Sequence, residues 1–343
     1  MEIPFIFHFL FAVCIRLALF YVVPMYAIPN RVEFNTSPYS LLDKPDDSLL
    51  SILFTFIPFD TIPLVTLLLS TLPALILSSL SKTSACVFLY NPFSIIASLA
   101  VSSQSLVQTL MAFLFVLPKN KVTQHIFSPL LPILIAIYPQ AFPLLLPLLT
   151  SLSPTVLLGL PVVFLSYSNF GFPTHFFVTD LTPNIGLYWY LFTNMFQEYS
   201  LLYTVVLPLI PLFVSLIMYP HMKDHKFYYT YVVAILIAVC NPYISLQDVL
   251  IPMALFNITW SNLCVYFWKL KVVAFVFPVM VLLFSIFNDF YKYSYFNSNM
   301  IYAMNLGIGF TLFSTCEETV NGCLHNDFLV ANKRTDHAID TIY

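Results

Sequence analysis

The residues from Asp180 to Ser200, DLTPNIGLYWYLFTNMFQEYS, form the most distinctive chemical pattern of the chain. Pro183 disfavours helix at the residue before it, and Gly186 permits close approach of backbone, so 180–186 predicts the start of a helix at a membrane surface. Behind this turn come five aromatic side chains and then an acid: Tyr188, Trp189, Tyr190, Phe192, Phe196 and Glu198. Multi-pass proteins also place aromatic belts at the membrane–water interface, so residue type alone leaves a binding role and a structural role open.

A second polar pattern lies in YFNSNMIYA, residues 295–303. Asn297 and Asn299 place two amides near the expected start of the last span. Amides there can donate to phosphate or sugar oxygens, and the backbone N–H groups of a helix start favour anions. The same side chains could instead cap the helix. We expect a lipid-headgroup site, a cap, or both.

Arg16 is a charged side chain inside the first apolar run, residues 14–20. A charge within a span costs about 2.5–3.5 kcal/mol on insertion scales and is expected to face a partner or a cavity. If the span is shifted, Arg16 could extend its charge to the membrane surface instead. Both interpretations stay open at this point.

Residue patterns for catalysis are missing from the sequence. The seven histidines are spread through loops and the tail, without a Cys-His or Ser-His-Asp arrangement, and no CxxC metal pair exists. Glu33 stands alone beside Arg31, and the adjacent Asp46 and Asp47 do not form the carboxylate pattern of a sugar transferase. We therefore predict no catalytic residue, no metal and no cofactor.

Composition places these residues in a lipid bilayer. The chain is 59% hydrophobic, 17% aromatic and only 8% charged, whereas about a quarter of a soluble protein is charged. We predict an all-α fold, a polytopic transmembrane helical bundle with about ten to twelve spans. The net charge of -3 does not favour a nucleic-acid partner, which leaves lipid and other membrane proteins.

Basic residues in the short breaks between apolar runs indicate the topology. The positive-inside rule places breaks such as Lys223 with Lys226 in the cytosol. We expect a membrane domain over residues 1–316, with a first lumenal loop at about 29–48, and a polar, mobile cytoplasmic tail over 317–343.

Three further segments qualify this topology. Prolines between 124 and 168 leave short apolar fragments, which predict half-helices. The first loop contains a glycosylation sequon at Asn35, whose use the sequence leaves open. The amino end lacks a basic region and a small-residue cleavage site, which favours a retained first span.

The order of the run at 180–200 resembles the PIG-U family, the multi-pass subunit of the endoplasmic-reticulum glycosylphosphatidylinositol (GPI) transamidase, in which DLTPNIGL precedes an aromatic cluster. The segments 16–20, RLALF, and 295–303 also resemble family elements, and the resemblance extends in islands to about position 315. The acid is displaced to Glu198, and the HETP pattern expected after SPYS at 37–40 is missing. The chain is thus identified as a shortened, divergent member.

The resemblance implies a non-catalytic subunit of the endoplasmic-reticulum membrane that helps bind and present the GPI lipid, with peptide cleavage in another subunit. It also implies the fold of lipid-linked sugar transferases. The five aromatic side chains would line the acyl side, and Asn297 and Asn299 would lie nearer the headgroup. Further candidates are Arg16, Asp180, Asn184 and Glu198. The alternatives are a mannosyltransferase of the GPI pathway, which would need Glu33 or Asp46, and a transporter, which predicts repeated halves.

Overall fold

The computed structural model describes residues 4–22, 61–99, 104–116, 128–145, 159, 161, 163–164, 186–194, 197–241, 246–263 and 298–331. Every regular element in these ranges is a helix, which confirms the all-α class. The chain divides into two compact units. One comprises 1–173, 246–258 and 342–343, and the other comprises 174–245 and 259–341. The predicted boundary at residue 316 stays a prediction.

Eleven α-helices and one 3₁₀ helix are described. In chain order they are α1 (Phe5–Val22), α2 (Ile62–Ser78), α3 (Lys82–Tyr90), α4 (Pro92–Leu99), α5 (Gln104–Val116), α6 (Leu130–Ile137), the 3₁₀ helix Pro139–Leu145, α7 (Tyr188–Asn194), α8 (Gln197–Met222), α9 (Lys226–Val239), α10 (Leu246–Leu263) and α11 (Ser298–Ala331). In the first unit, α2 packs against α1, α3, α4 and α5. In the second unit, α9 packs against α8 and α11.

Local sequence sets the boundary between α3 and α4. The Oγ of Ser81 accepts a hydrogen bond from the backbone N–H of Ser84 at 3.3 Å and caps the start of α3. Asn91 leaves the helix with an extended backbone, and its Oδ1 accepts from the N–H of Phe93 at 3.0 Å. One residue thus ends α3 and begins α4, directly before Pro92, where a helix start tolerates proline.

The proline-rich region yields short helices, as the sequence predicts. The helix α6 has only eight residues, and its C-cap, Tyr138, has a non-helical backbone at φ -135 and ψ 81. A 3₁₀ helix follows over Pro139–Leu145, with Pro143 inside it. Residues 130–145 form two short helices, and their role as half-helices of a membrane protein stays a prediction. The rest of 124–168 lies almost wholly outside the described residues.

The second unit is built around α9, whose residues from Phe227 to Val239 are all buried. The Tyr229 hydroxyl donates to the carbonyl oxygen of Ser215 on α8 at 3.3 Å. The sulfur of Cys316 on α11 lies 3.8 Å from the carbonyl oxygen of Val232. Since His225 contacts Asp327 at one end, α11 runs antiparallel to α9. These contacts therefore show which residues of α8, α9 and α11 lie at the same level along the helix axes.

Two helical segments in the described ranges are long and apolar enough to cross a membrane, α1 and residues 202–222 of α8. Both expose large apolar side chains that a water-soluble protein would bury, including Phe7 and Phe11 on α1 and Phe213 and Ile217 on α8. The described part of the chain thus holds fewer candidate spans than the ten to twelve expected. The number of membrane spans therefore stays a prediction.

The last helix extends beyond the point where the sequence places the polar tail. Residues 317–331 continue α11 without interruption, although the sequence favours a mobile segment there. The reason is packing that a polar composition conceals, because Thr319 and Cys323 are fully buried on one face of the helix. Residues 332–343 lie outside the described residues.

Candidate functional site

The two motifs that the sequence singles out meet in the second unit. The hydroxyl of Tyr190 on α7 donates a hydrogen bond to Oδ1 of Asn299 in the first turn of α11. The Tyr190 ring also stacks on Tyr302, with ring centroids 4.2 Å apart and planes inclined by 20°. We call Tyr190, Asn299 and Tyr302 the tyrosine–asparagine cluster. It joins segments 109 residues apart in the sequence.

A second set of contacts fixes the chain before α7 against α11. The side-chain nitrogen of Asn305 donates to the carbonyl oxygen of Gly186 at 3.1 Å. A Cβ atom on Gly309 would lie 3.3 Å from the Leu187 side chain, so the missing side chain permits this close approach. The predicted turn before the aromatic run is therefore anchored to α11 at Gly186 and Leu187.

The sequence interpretation did not single out Tyr302, Asn305 or Gly309. These positions follow Asn299 at intervals of three and four residues, which places them on one face of a helix. A run of polar, aromatic and small residues at that spacing was the signal that could have identified them. It predicts a helix face that receives another segment of chain.

Three of the predicted lipid-binding aromatics are packed inside the protein. Tyr188, Trp189 and Phe192 are at most 7% exposed. The Tyr188 hydroxyl donates to the carbonyl oxygen of Leu207 on α8 at 3.4 Å. By contrast, Tyr190 is half-buried and Asn299 is exposed, so these two are the accessible members of the predicted set among the residues that the structure describes.

The indole N–H of Trp189 is buried and has no hydrogen-bond partner among the residues that the structure describes. An unsatisfied buried donor costs about 1–3 kcal/mol, and folded proteins contain few of them. This N–H is therefore a candidate donor for a ligand oxygen.

Other predicted site residues have separate positions or fall outside the structure. Glu198 is exposed in the first turn of α8, where a carboxylate stabilises the positive end of the helix dipole. Asp180, Asn184, Phe196 and Asn297 lie outside the described residues or, for Phe196, in the gap between α7 and α8. Their roles in a lipid-binding site stay predictions.

Arg16 is completely buried in the first unit, which answers the question that its sequence left open. Its Nη2 donates to the Oγ of Ser94 on α4 at 3.0 Å, and its Nη1 donates to the carbonyl oxygen of Ala12 at 3.4 Å. Within the described ranges, its Nε has no hydrogen-bond partner. The side chain thus faces neighbouring helices within the unit.

Among the residues that the structure describes, no group of three or more His, Cys, Asp or Glu side chains could hold a metal ion. His225 Nε2 lies 2.8 Å from Asp327 Oδ1, at the turn between α8 and α9. Many candidate acids of the sequence, including Glu33 and Asp46, lie in undescribed segments. The expected absence of a metal and of catalysis therefore stays a prediction.

Comparison with known proteins tests the resemblance directly. Residues 156–308 match the sequence model of the family described as GPI transamidase subunit PIG-U. The GPI-anchor transamidase components PIGU of Homo sapiens and Mus musculus are each 32% identical to this chain over 130 residues. The same identity holds for the component of Cricetulus griseus.

These alignments cover 38% of this chain and 30% of each relative, so the match spans less than a third of their length. The family segment contains Tyr190, Asn299, Tyr302 and Asn305, and thus both motifs and the contacts that join them. Through this segment the chain is similar to the PIG-U family.

Proposed function

We propose that this chain is a non-catalytic, multi-pass subunit of a GPI transamidase in the endoplasmic-reticulum membrane. It would help bind and present the GPI lipid for attachment to the carboxyl ends of proteins. One observation carries the proposal: the family segment, residues 156–308, includes the two motifs that meet in the tyrosine–asparagine cluster. The proposed partners are the other transamidase subunits and the GPI lipid.

The chemistry of the cluster supports contact with a lipid headgroup. Asn299 is exposed in the first turn of α11, where backbone N–H groups favour phosphate. The hydrogen bond from Tyr190 to Oδ1 fixes the orientation of the Asn299 amide, and the stack on Tyr302 fixes Tyr190. The site is thus preorganised for a ligand with phosphate and sugar oxygens. Asn297, the residue before α11, is proposed to contribute a second amide.

The buried aromatic side chains are assigned a supporting role in this proposal. Tyr188 and Phe192 hold α7 in the second unit through their packing. Trp189 offers the unsatisfied indole N–H, which an oxygen of a bound lipid would satisfy. The acyl chains would then pass over the exposed apolar surface near the cluster, where Leu191 and Met300 are exposed. We retain Phe196, Asp180 and Asn184 as proposed neighbours of this path.

The proposed topology places the cluster on the lumenal side. Lys223 and Lys226 flank the turn between α8 and α9, which the positive-inside rule assigns to the cytosol. The cluster lies toward the opposite end of the bundle, because Gly309, which follows it on α11, lies near Val239 at the end of α9. The segment 202–222 of α8 would cross the bilayer between the two ends.

A functional test compares variants of the cluster in cells that lack their own PIG-U subunit. Asn299→Leu removes the amide, and we expect it to reduce attachment of a GPI-anchored surface reporter at least about fivefold, since one hydrogen bond is worth about 1 kcal/mol. The matched control is Tyr199→Leu, a change at a side chain that is 57% exposed on α8.

Each outcome of this test has a defined meaning. Loss of attachment with Asn299→Leu at normal protein level, and normal attachment with Tyr199→Leu, would support the headgroup site. Normal attachment with both variants would contradict the site while leaving the subunit assignment intact. Failure of the unaltered chain to restore any attachment would contradict the assignment itself.

A further inference from the structure

One stripe of α11 combines exposed apolar residues with an exposed acid and an exposed amide. Residues three and four positions apart share a helix face. The members of this face, which we call the outer stripe, are Phe310, Phe313, Glu317, Asn321, Leu324 and Phe328, and all are exposed. The two polar residues are thus flanked by apolar residues on both sides along the helix.

The contacts within the second unit give the height of Glu317. Its neighbour Cys316 lies beside Val232 of α9, whereas Asp327 contacts His225 at the turn. Val232 is about 10 Å along α9 from His225, at a rise of 1.5 Å per residue. Glu317 therefore lies about 10 Å, along the helix axes, from the basic turn at the end of the bundle.

At this height α8 exposes apolar side chains. Tyr229, between His225 and Val232, hydrogen-bonds to Ser215 of α8. The neighbours of Ser215 on α8 include Phe213, which is 57% exposed, and Ile217, which is 70% exposed. At one level along the helix axes, α8 thus exposes apolar side chains and α11 exposes the carboxylate of Glu317.

Neither hydrocarbon alone nor water alone is a favourable environment for both the exposed surface of α8 and the exposed surface of α11. In hydrocarbon, a charged side chain costs about 3 kcal/mol on insertion scales. In water, the exposed side chains of Phe213 and Ile217, and of Phe310 and Phe328 on the outer stripe itself, would be unfavourable. Glu317 has no ion pair or hydrogen bond within the chain's described ranges that would offset its charge. A protein surface against the outer stripe resolves the conflict.

We propose that the outer stripe of α11 is a docking surface for a membrane-embedded helix of another protein, which places an arginine or lysine opposite Glu317. Charge complementarity selects this occupant, because a carboxylate at apolar depth is favourable only when it is paired and hydrogen-bonded. Phe310, Phe313, Leu324 and Phe328 supply the apolar flanks that exclude water around the pair. The inference rests on the proposed role as a membrane subunit. It identifies the outer stripe as the surface through which the chain would bind a neighbouring subunit.

Photo-crosslinking in native membranes tests the proposal with the full chain. A photoreactive amino acid replaces Asn321 on the outer stripe, and in a second variant it replaces Ile217, which lies at similar depth on α8. We expect position 321 to crosslink to a helix of another membrane protein that carries a basic residue, and position 217 to crosslink to lipid. Crosslinks from 321 only to lipid, or only to a second copy of this chain, would overturn the proposal.

Charge reversal provides the second measurement. Glu317→Lys should reduce recovery of the crosslinked partner at least about tenfold, equivalent to about 1.4 kcal/mol. Reversal of the partner's basic residue to Glu should restore recovery. Asp224→Lys, a reversal at an exposed acid in the turn, is the matched control and should leave recovery unchanged. Unchanged recovery with Glu317→Lys would overturn the proposal, because the acid is exposed and its replacement disturbs no packing.

The two proposals can fail separately in these experiments. A basic helix of a protein outside the GPI transamidase, crosslinked at 321 and restored by charge reversal, would support the docking surface and contradict the proposed function. Full recovery of the transamidase subunits with Glu317→Lys would support the function and contradict the docking surface.

Discussion

Tyr190 is the residue at which two distant segments of the chain meet. Its ring stacks on Tyr302, and its hydroxyl donates to Asn299. The sequence identified both the aromatic run and the amides, because each stands out by residue type at a predicted helix start. It could not predict that Trp189 is buried and Tyr190 is accessible, since neighbouring positions on a short helix differ only in the direction they face.

Arg16 illustrates a second property of single residues, the cost of a buried charge. Its guanidinium is fully buried and hydrogen-bonded to a hydroxyl and a carbonyl, both neutral acceptors. A buried charge held only by neutral groups contributes little net stability, whereas removal of one acceptor leaves a donor unsatisfied. The hydroxyl of Ser94 is therefore more important to Arg16 than its small size suggests.

We predict that Ser94→Ala lowers the free energy of unfolding by about 1–3 kcal/mol, because Arg16 loses its side-chain acceptor. Thermal unfolding of the purified protein in detergent measures the effect. Ser78→Ala is the matched control, since the Ser78 hydroxyl is exposed and donates within its own helix. The double variant Arg16→Met with Ser94→Ala should recover most of the loss. Equal effects of Ser94→Ala and Ser78→Ala would contradict the role assigned to this contact.

The helix α11 serves three purposes along its length, each in a different part of its sequence. Its first turns carry the tyrosine–asparagine cluster, and its middle packs on α9 through Cys316. Its last part pairs Asp327 with His225. The sequence predicted the start of this helix from its amides. The polar composition after residue 316 concealed the continuation, because Thr319 and Cys323 are buried while the polar side chains of Glu317, Asn321 and His325 are exposed.

Thiol accessibility tests whether residues 317–331 are packed as a helix. Cys323 is fully buried against its neighbours, whereas Asn321 is exposed on the outer stripe. We predict that a maleimide in detergent labels Cys323 at least about tenfold more slowly than a cysteine introduced by Asn321→Cys, because burial must be undone before reaction. Mass spectrometry of each site measures the rates. Equal rates would indicate the mobile tail that the sequence favours.

For the whole molecule, composition predicted an apolar, all-helical protein, and the described residues are helical with bare apolar faces on α1 and α8. Composition could not predict the division into two units, because that depends on which apolar faces pair. The family assignment came from the order of residues in one run, which the match over 156–308 supports. Other apolar helices, such as α5 and α9, are shorter than the two candidate spans, so the number of membrane spans stays a prediction.

Affinity capture is the measurement that tests the central claim most directly. The full chain, tagged at one end, would be purified from gently solubilised membranes that contain a GPI transamidase, and the proteins recovered with it would be identified. The account predicts recovery of the other transamidase subunits in comparable amounts. Clean recovery of the chain without them would contradict the claim that this chain is a subunit of that enzyme.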